Sequence, residues 1–331
     1  MTKPKVALIG GGGTISSLGE DGFDVQDYGR HGRMLDGKGM LEKFPRLLDL
    51  ADVVAVDFPP VPSTRVGFPE WKQMAEIIRA LAEDPDMAGV IILHGTATME
   101  ETAYALSLGL TTDLPVAITG AQRPASAIST DAEANMVAAI RTVLHPDARG
   151  LGVMLVLNEE IQAAREVTKT SVWRLQTFRS PDFGVLGHAD AHGVEIYRRP
   201  VRRHTVDTEF DLAAMDAWPR VDISYCYAGV DGTAVRAFVQ AGAAGIVSAG
   251  FAPGMTAPEE HAALAEAVKA GVVVMQSTRA GSGRVNLLSG LRSAGILPAD
   301  NLNPQKARIL LGYALSVTDD PAEIARIFAT Y

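Results

Sequence analysis

Cysteine, excess positive charge and long apolar runs are almost absent from this chain. Its 331 residues include one cysteine, Cys226, so an internal disulfide and a metal site built from cysteines are excluded. A formal net charge of −9 argues against a nucleic-acid partner. No segment approaches the roughly 20 apolar residues that span a bilayer, so we expect no membrane partner.

What the chain does contain is typical of a globular protein with substantial cores. Hydrophobic residues make up 47% of the sequence and charged residues 21%, and the length is sufficient for two domains. The first apolar run, Val6–Ile9, is too short for the core of a signal peptide, and four glycines end it. We therefore expect a cytoplasmic location. Cys226 lies in a strand-like segment and is interpreted as a small core residue.

Short β-rich runs alternate with helical patterns along most of the sequence. This alternation predicts parallel sheets that are covered by helices on both faces. The expected strands are Val6–Ile9, Val53–Phe58, Val90–Leu93, Val116–Thr119, Val153–Leu157, Ile223–Tyr227, Gly245–Ser248 and Val272–Gln276. The expected helices are Pro69–Ala82, Met99–Leu110, Asp131–Leu144, Thr233–Gln240, Pro258–Ala270, Pro304–Leu315 and Pro321–Ala329.

The alternation stops between about Ala189 and Pro219. This stretch is polar and carries the basic cluster Arg198–His204, which we interpret as a solvated connector or a subunit contact. The predicted organisation is an N-terminal catalytic domain over residues 1–190, a linker over 191–218 and a C-terminal domain over 219–331.

Two histidines, His188 and His192, are spaced four residues apart with an acidic residue between them. On a helix this spacing would place both imidazoles on one face, as metal ligands require. Glycines at 187 and 193 flank the segment, so a surface loop is the favoured interpretation and no metal is expected.

The candidate chemistry begins with two threonines that follow predicted strands. Thr14 comes after the glycine run that ends the first strand, and Thr96 comes after the strand Val90–Leu93. Open α/β sheets bind ligands at the carboxyl ends of their strands, so both hydroxyls could face one crevice. The glycine run lacks the spacing of a phosphate-binding loop, and an ordinary tight turn is its alternative interpretation.

Lys169 is a third candidate, since β-branched residues flank it in Val167–Thr170. If it is partly buried, loss of hydration lowers the pKa of its amine, which could then accept a proton from a hydroxyl. An ordinary surface lysine is the alternative.

Several segments together resemble the bacterial-type asparaginase/glutaminase family. They occur in the family's order and extend from residue 10 to residue 308. The matching segments are Gly12–Ile15, His94–Thr102, Gly120–Pro124, Val167–Thr170, Phe178–Pro181, Gly245–Gly250 and Leu302–Arg308.

The resemblance implies a fold, an assembly and a mechanism. The implied fold is α/β, with a larger flavodoxin-like N-terminal domain containing a parallel sheet and a smaller α/β C-terminal domain. The implied assembly is a homotetramer with intersubunit active sites. Thr14 would be the nucleophile, Tyr28 would activate it, and Thr96 with Lys169 would form the second hydroxyl–base pair. No cofactor is implied.

The resemblance also implies a set of substrate-binding residues. Ser63 falls where the family holds the substrate carboxylate, and Thr64 follows it. The backbone around Gly13 and Gly95 would approach the substrate, and N–H groups after Gly95 could stabilise the oxyanion.

Three positions depart from the family pattern at the groups that hold the substrate ammonium. Ala97 replaces an aspartate, Gly229 replaces an amide residue, and the segment Gln276–Pro298 lacks the acidic residue that a neighbouring subunit lends. We therefore predict an asparaginase-family amidohydrolase acting on a small carboxylate-bearing amide without an α-amino group. A second anionic group of that substrate could lie near Arg284.

Two other functions stay open from the sequence. One is ordinary L-asparaginase activity, which releases ammonia from L-asparagine. The other is a family member that binds a ligand without turnover, although binding alone would not require Thr14, Thr96 and Lys169 together.

Overall fold

The computed structural model describes residues 3–331, and the chain divides into two compact units. The first unit ends at Ala213 and the second begins at Ala214. The strands of the first unit are β1 Lys5–Gly10, β2 Asp52–Val56, β3 Met87–Leu93, β4 Val116–Thr119, β5 Val153–Leu157, β6 Glu160–Ala163, β7 Thr168–Lys169, β8 Phe178–Arg179, β9 Gly187–Asp190 and β10 Gly193–Ile196. Its helices are α1 Gly37–Lys43, α2 Leu47–Leu50, α3 Phe68–Leu81, α4 Met99–Gly109 and α5 Ala132–Leu144.

Eight of these strands form one sheet in the order β10-β9-β6-β5-β4-β3-β1-β2. Strands β1 to β5 are mutually parallel, whereas β6, β9 and β10 add an antiparallel edge. Parallel strands that are covered on both faces read as continuous apolar runs, and β1, β3, β4 and β5 have that character. Their central residues are fully buried.

Alternate residues of the strands pack against different helices. Side chains on one face of the sheet, such as Leu8, Ile91 and Met154, share a core cluster with residues of α5. The intervening residues point to the opposite face because side chains alternate along a strand. Helix α4 is buried along nearly its whole length, and its second half, from Ala103 to Gly109, is almost entirely apolar.

The second unit contains a smaller parallel sheet in the order β11-β12-β13-β14. Its strands are β11 Val221–Tyr225, β12 Gly245–Gly250, β13 Val273–Thr278 and β14 Leu297–Pro298. Its helices are α6 Thr233–Gln240, α7 Pro258–Lys269, α8 Ser289–Ala294, α9 Pro304–Val317 and α10 Pro321–Thr330. Asn303 and Asp320 cap α9 and α10 by accepting backbone N–H groups, and proline stands in the first turn of each. Cys226 is buried, as predicted.

The predicted fold class is confirmed by these two units, and most predicted elements lie within one or two residues of their observed bounds. Strand β2 ends at Val56, two residues before the predicted Phe58, and the chain then passes into the irregular segment that contains Pro59 and Pro60. Strand β11 begins and ends two residues earlier than predicted.

The stretch expected to be an extended connection begins instead as a hairpin. Strand β10 pairs with β9 at the edge of the large sheet, and Val194 and Ile196 pack against its core. The surface-loop prediction is wrong for His188, which lies within β9, while His192 lies in the turn. The short strands β6 to β10 lack the long apolar runs by which sequence patterns identify strands.

No helix within residues 3–331 is both long enough and apolar enough to cross a membrane.

Candidate active site

The candidate site lies where the strand order of the large sheet changes direction. Strand β1 has β2 on one side and β3 on the other, and Gly10 at its carboxyl end lies opposite Leu93 of β3. In doubly wound sheets such a switch point opens a crevice beyond the carboxyl ends of the strands. The segments that leave β1 and β3 carry Thr14 and Thr96, so the topology itself brings the two hydroxyls together.

Two glycines allow these segments to touch along their backbones. A Cβ atom placed on Gly13 would lie 2.2 Å from the Gly95 Cα atom, and one on Gly95 would lie 2.5 Å from the Ser63 Oγ atom. Gly13 also has a φ of 86°, a left-handed conformation that side chains disfavour. The glycines therefore bring the segment that carries Thr14 and the segment that carries Thr96 closer than any other residue would permit.

Thr14 begins a short 3₁₀ turn directly after β1 and contacts a tyrosine from a distant part of the loop. The Thr14 Oγ1 and Tyr28 hydroxyl oxygens are 2.7 Å apart, and either can donate the hydrogen bond. A phenol at this distance can relay the threonine proton, accepting it while releasing its own, as the threonine oxygen attacks a carbonyl carbon.

Tyr28 lies on a flap, which we define as residues 17–34. Its two ends are joined by backbone contacts. Leu18 donates its N–H to the Arg33 carbonyl over 2.9 Å, and Ser17 and Met34 form an isolated antiparallel β-bridge. The Gly19 N–H donates to Ser126 Oγ over 2.8 Å, which fastens the flap to the segment after β4.

The carboxylate of Asp24 shapes the flap from within. Its oxygens accept the backbone N–H groups of Glu20 and Asp27, and one oxygen lies 3.6 Å from the His31 Nε2 atom. Partial burial opposes ionisation of Asp24, but these hydrogen bonds and His31 outweigh it, so its pKa is lowered. A charged Asp24 therefore holds the flap in the shape that presents Tyr28 to Thr14.

Thr96 pairs with Lys169 on the second side of the site. The Lys169 Nζ atom is 2.6 Å from the Thr96 Oγ1 atom, and Thr96 is only 6% exposed. Burial lowers the pKa of Lys169 from its ordinary value, whereas the nearby charge of Glu100 raises it. An amine with a lowered pKa can take a proton from a hydroxyl or from a water molecule beside it.

Glu100 is a functional candidate that sequence reasoning missed. It lies in the first turn of α4, is 6% exposed, and its Oε1 atom is 3.5 Å from the Lys169 backbone nitrogen. Glu100 thus supplies a carboxylate near Lys169, whereas position 97, where the family pattern has an aspartate, is an alanine. The signal available was a pair of glutamates at the start of a helix that follows a buried strand, because a glutamate that becomes buried there needs a partner.

A buried histidine supports the segment between β3 and α4. The His94 Nδ1 atom is 2.8 Å from the Gly95 carbonyl oxygen, which can only accept, so Nδ1 carries the proton. Nε2 is therefore the acceptor for the Thr102 hydroxyl at 3.0 Å, and Thr102 in turn accepts from Trp71 Nε1 at 2.9 Å. Burial lowers the pKa of His94 to about 4, which keeps it neutral at pH 7.

The expected carboxylate-binding residues lie opposite the threonines. Ser63 is buried and begins a short 3₁₀ turn that Thr64 continues. Thr98 donates its hydroxyl to the Ser63 carbonyl over 2.7 Å, which ties this turn to the segment that carries Thr96.

Most of the predicted site residues line one cavity of about 340 Å³. Its lining includes Gly13, Thr14, Tyr28, Ser63, Thr64, Thr96 and Ala97. Gly95 lies behind this lining in contact with Gly13, and Lys169 is joined to it through Thr96. The roles assigned to these residues stay predictions.

Arg284, the remaining predicted residue, lies in the second unit. Its Nε atom is 2.5 Å from an Asp300 carboxylate oxygen, so its charge is already paired within that unit. The assignment of Arg284 to a substrate anion stays a prediction.

Within residues 3–331, no group of three or more histidine, cysteine, aspartate or glutamate side chains is placed to hold a metal ion.

Comparison with known proteins covers both units. The model of the asparaginase N-terminal domain matches residues 5–202, and that of the glutaminase/asparaginase C-terminal domain matches residues 220–328. L-asparaginase 2 of Bacillus subtilis is 36% identical over 99% of this chain and 87% of its own length. Glutaminase-asparaginase of Pseudomonas fluorescens is 34% identical over 100% of this chain and 92% of its own.

A solved structure gives the same result. The probable cytoplasmic L-asparaginase of Campylobacter jejuni superposes with a TM-score of 0.92 at 35% identity, over 99% of this chain and 100% of that one. The resemblance identified from the sequence motifs is thereby confirmed: the chain belongs to the asparaginase/glutaminase family of amidohydrolases, which act on C–N bonds in linear amides.

Proposed function

We propose that the protein hydrolyses a small carboxylate-bearing amide without an α-amino group, using Thr14 as the nucleophile. The observation that carries this proposal is the presence of two hydroxyl–base pairs at one cavity. Thr14 Oγ1 is 2.7 Å from the Tyr28 hydroxyl, and Thr96 Oγ1 is 2.6 Å from Lys169 Nζ. Neither a metal ion nor a cofactor is required by this chemistry.

The first half of the reaction forms an ester with the enzyme. The Thr14 oxygen attacks the amide carbonyl carbon while its proton passes to the Tyr28 hydroxyl, which gives up its own proton toward the amide nitrogen. Backbone N–H groups after Gly95 stabilise the oxyanion. The proton passes to the amide nitrogen, the C–N bond breaks, and ammonia leaves. The acyl group then remains attached to Thr14.

The second half returns the enzyme to its starting state. Thr96 and Lys169 orient a water molecule and accept its proton while its oxygen attacks the ester carbonyl. The ester bond breaks, the carboxylic acid leaves, and Thr14 recovers its proton. A lowered pKa of Lys169 supports this role because only the neutral amine can accept a proton.

The proposed substrate follows from the groups that the site lacks. Ala97 lines the cavity where the family pattern has an aspartate, so a substrate ammonium would find no carboxylate at that position. Leaving a buried charge without its counter-charge costs on the order of several kcal/mol. Gly229 and the acid-free segment Gln276–Pro298 remove the two other groups that would compensate it.

Ammonia release from succinamate and from L-asparagine tests this proposal, because the two compounds differ only in the α-amino group. We expect the larger kcat/KM for succinamate. Ala97→Asp is the matched variant, and it should shift the preference toward L-asparagine by restoring the missing carboxylate. Faster hydrolysis of L-asparagine by the unaltered protein would refute the proposed substrate class.

Ordinary L-asparaginase activity is the second candidate function. The relatives named L-asparaginase and glutaminase-asparaginase favour it, because they match this chain over nearly its full length. A family member that only binds its ligand is the third candidate. The two intact hydroxyl–base pairs argue against it, since binding does not require them.

We also propose a homotetramer with active sites completed by neighbouring subunits, and a cytoplasmic location. The solved relative is named a probable cytoplasmic enzyme, whereas a relative in Haemophilus influenzae is named probable periplasmic. Immunoblotting of separated cell fractions decides between the two compartments.

A further inference from the structure

The cavity beside Thr14 and Thr96 has an unusual charge distribution. Among its 13 lining residues, all of them described, Arg33 is the one with a formally charged side chain, and none is aspartate or glutamate. A zwitterionic ligand would therefore meet a positive charge without a negative one, whereas an anionic ligand would meet a complementary charge.

Arg33 is fixed in this position by the base of the flap. Its carbonyl accepts the backbone N–H of Leu18 over 2.9 Å, and its Nη2 atom donates to the Gly19 carbonyl over 2.6 Å. A guanidinium has five N–H donors in a planar fork that matches a carboxylate. The single bond to Gly19 thus orients the fork.

The other cation beside the two threonines is already engaged. The Lys169 Nζ atom lies 2.6 Å from the Thr96 Oγ1 atom and near the charge of Glu100. Arg33 is exposed, and its guanidinium donates to the Gly19 carbonyl rather than to a carboxylate of the cavity lining. Its charge is therefore available to the contents of the cavity.

Resting on the proposed amidohydrolase function, we infer that Arg33 is the specificity-determining residue that binds a carboxylate of the substrate. The substrates it selects are net-anionic monoamides of dicarboxylic acids. Ser63 and Thr64 offer hydroxyl groups to the same cavity but no charge, so they orient the carboxylate while Arg33 supplies the electrostatic attraction.

Binding measurements on the Thr14→Ala protein test this inference without turnover. The ligands are succinamate and butyramide, which has a methyl group where succinamate has its carboxylate. Isothermal titration calorimetry would give the dissociation constants of both ligands for the Thr14→Ala protein with Arg33, with Arg33→Gln and with Arg33→Lys. We expect Arg33→Gln to weaken succinamate binding about tenfold and to leave butyramide binding within about twofold. Arg33→Lys should restore part of the loss, since it keeps the charge but not the fork.

The contrary result is a loss that is equal for succinamate and butyramide, or no loss for either. An equal loss would mean that Arg33 only maintains the flap. Ammonia assays separate this failure from failure of the proposed function. If Thr14→Ala abolishes hydrolysis but Arg33→Gln leaves the preference for succinamate over butyramide unchanged, only the inference about Arg33 fails. If Thr14→Ala retains full activity, the proposed function itself fails.

Discussion

At the scale of single residues, the site depends on how burial and neighbouring charges adjust the acidity of Lys169. Burial and the charge of Glu100 act on its pKa in opposite directions, and burial prevails. In the proposed mechanism the neutral amine is the reactive form, so hydrolysis should rise with pH as Lys169 loses its proton. Glu100 therefore sets where on the pH scale this rise occurs.

Replacing Glu100 by glutamine should move the rise to lower pH. The substitution removes the charge that raises the pKa of Lys169 and leaves the effect of burial in place. The measurement is the pH profile of kcat/KM for succinamate between pH 5 and 10. Glu42→Gln, on the exposed surface of α1, is the control that should leave the profile unmoved. A shift to higher pH would contradict the assignment of Glu100.

His94 should make the fold sensitive to mild acid. Its pKa is about 4 in the folded protein and about 6.5 when unfolded, so the unfolded state binds more protons as the pH falls. The stabilisation is complete above pH 6.5 and is lost progressively toward pH 4, by roughly 3 kcal/mol in total. Urea unfolding at several pH values measures the loss.

The matched variant for this prediction is His94→Asn, which retains an amide near the Nδ1 position but does not titrate. It should be less stable at pH 7 and show a shallower decline between pH 7 and 5 than the unaltered protein. Equal slopes for the two proteins would show that His94 contributes no proton linkage.

At the scale of elements, the site is formed by loops that follow strands rather than by the strands themselves. The segments after β1 and β3 touch at Gly13 and Gly95, and the flap joins them through Tyr28. Such contacts depend on the absence of side chains at two positions.

Gly95→Ala should therefore abolish most activity. The added methyl group would lie 2.5 Å from the Ser63 Oγ atom and 2.8 Å from its Cβ atom, so the Ser63 turn or the Thr96 segment must move. Misplacing a reacting group by about 1 Å can cost on the order of a hundredfold in rate. Gly290→Ala in α8, where a Cβ atom would meet nothing within 4 Å, is the control. If Gly95→Ala kept activity within threefold of the unaltered protein, the close contact between the Gly95 and Ser63 segments would not be needed for activity, which would contradict this prediction.

Sequence patterns predicted the long elements well because burial on both faces makes β1, β3, β4 and β5 apolar throughout. They also placed Thr14 and Thr96 at strand ends, and a sheet with a switch point brings such ends together. The antiparallel edge was not predicted, since β9 and β10 are four residues each and alternate polar with apolar side chains.

Local sequence patterns could not predict contacts between residues that are far apart in the chain. Tyr28 was assigned through family resemblance, and its contact with Thr14 depends on the course of the flap. Glu100 and Lys169 are separated by 69 positions, so their proximity requires the packing of α4 against the β7 segment. Arg33 was not predicted as a site residue, because no sequence motif near it indicates that it faces the cavity.

At the scale of the whole molecule, the proposed tetramer is directly measurable. Four chains of 35.1 kDa give a mass of about 140 kDa. Light scattering coupled to size-exclusion chromatography should report that mass at micromolar concentration. A monomer of 35.1 kDa with full hydrolytic activity would contradict active sites that are shared between subunits.

The formation of an ester on Thr14 is the central claim. Acid quenching during turnover of succinamate, followed by peptide mass spectrometry, tests it most directly. We expect a succinyl group on the peptide that contains Thr14, dependent on substrate and absent from Thr14→Ala, which should also release no ammonia. Undiminished ammonia release by Thr14→Ala, or an acyl group on another residue such as Thr96, would contradict the claim.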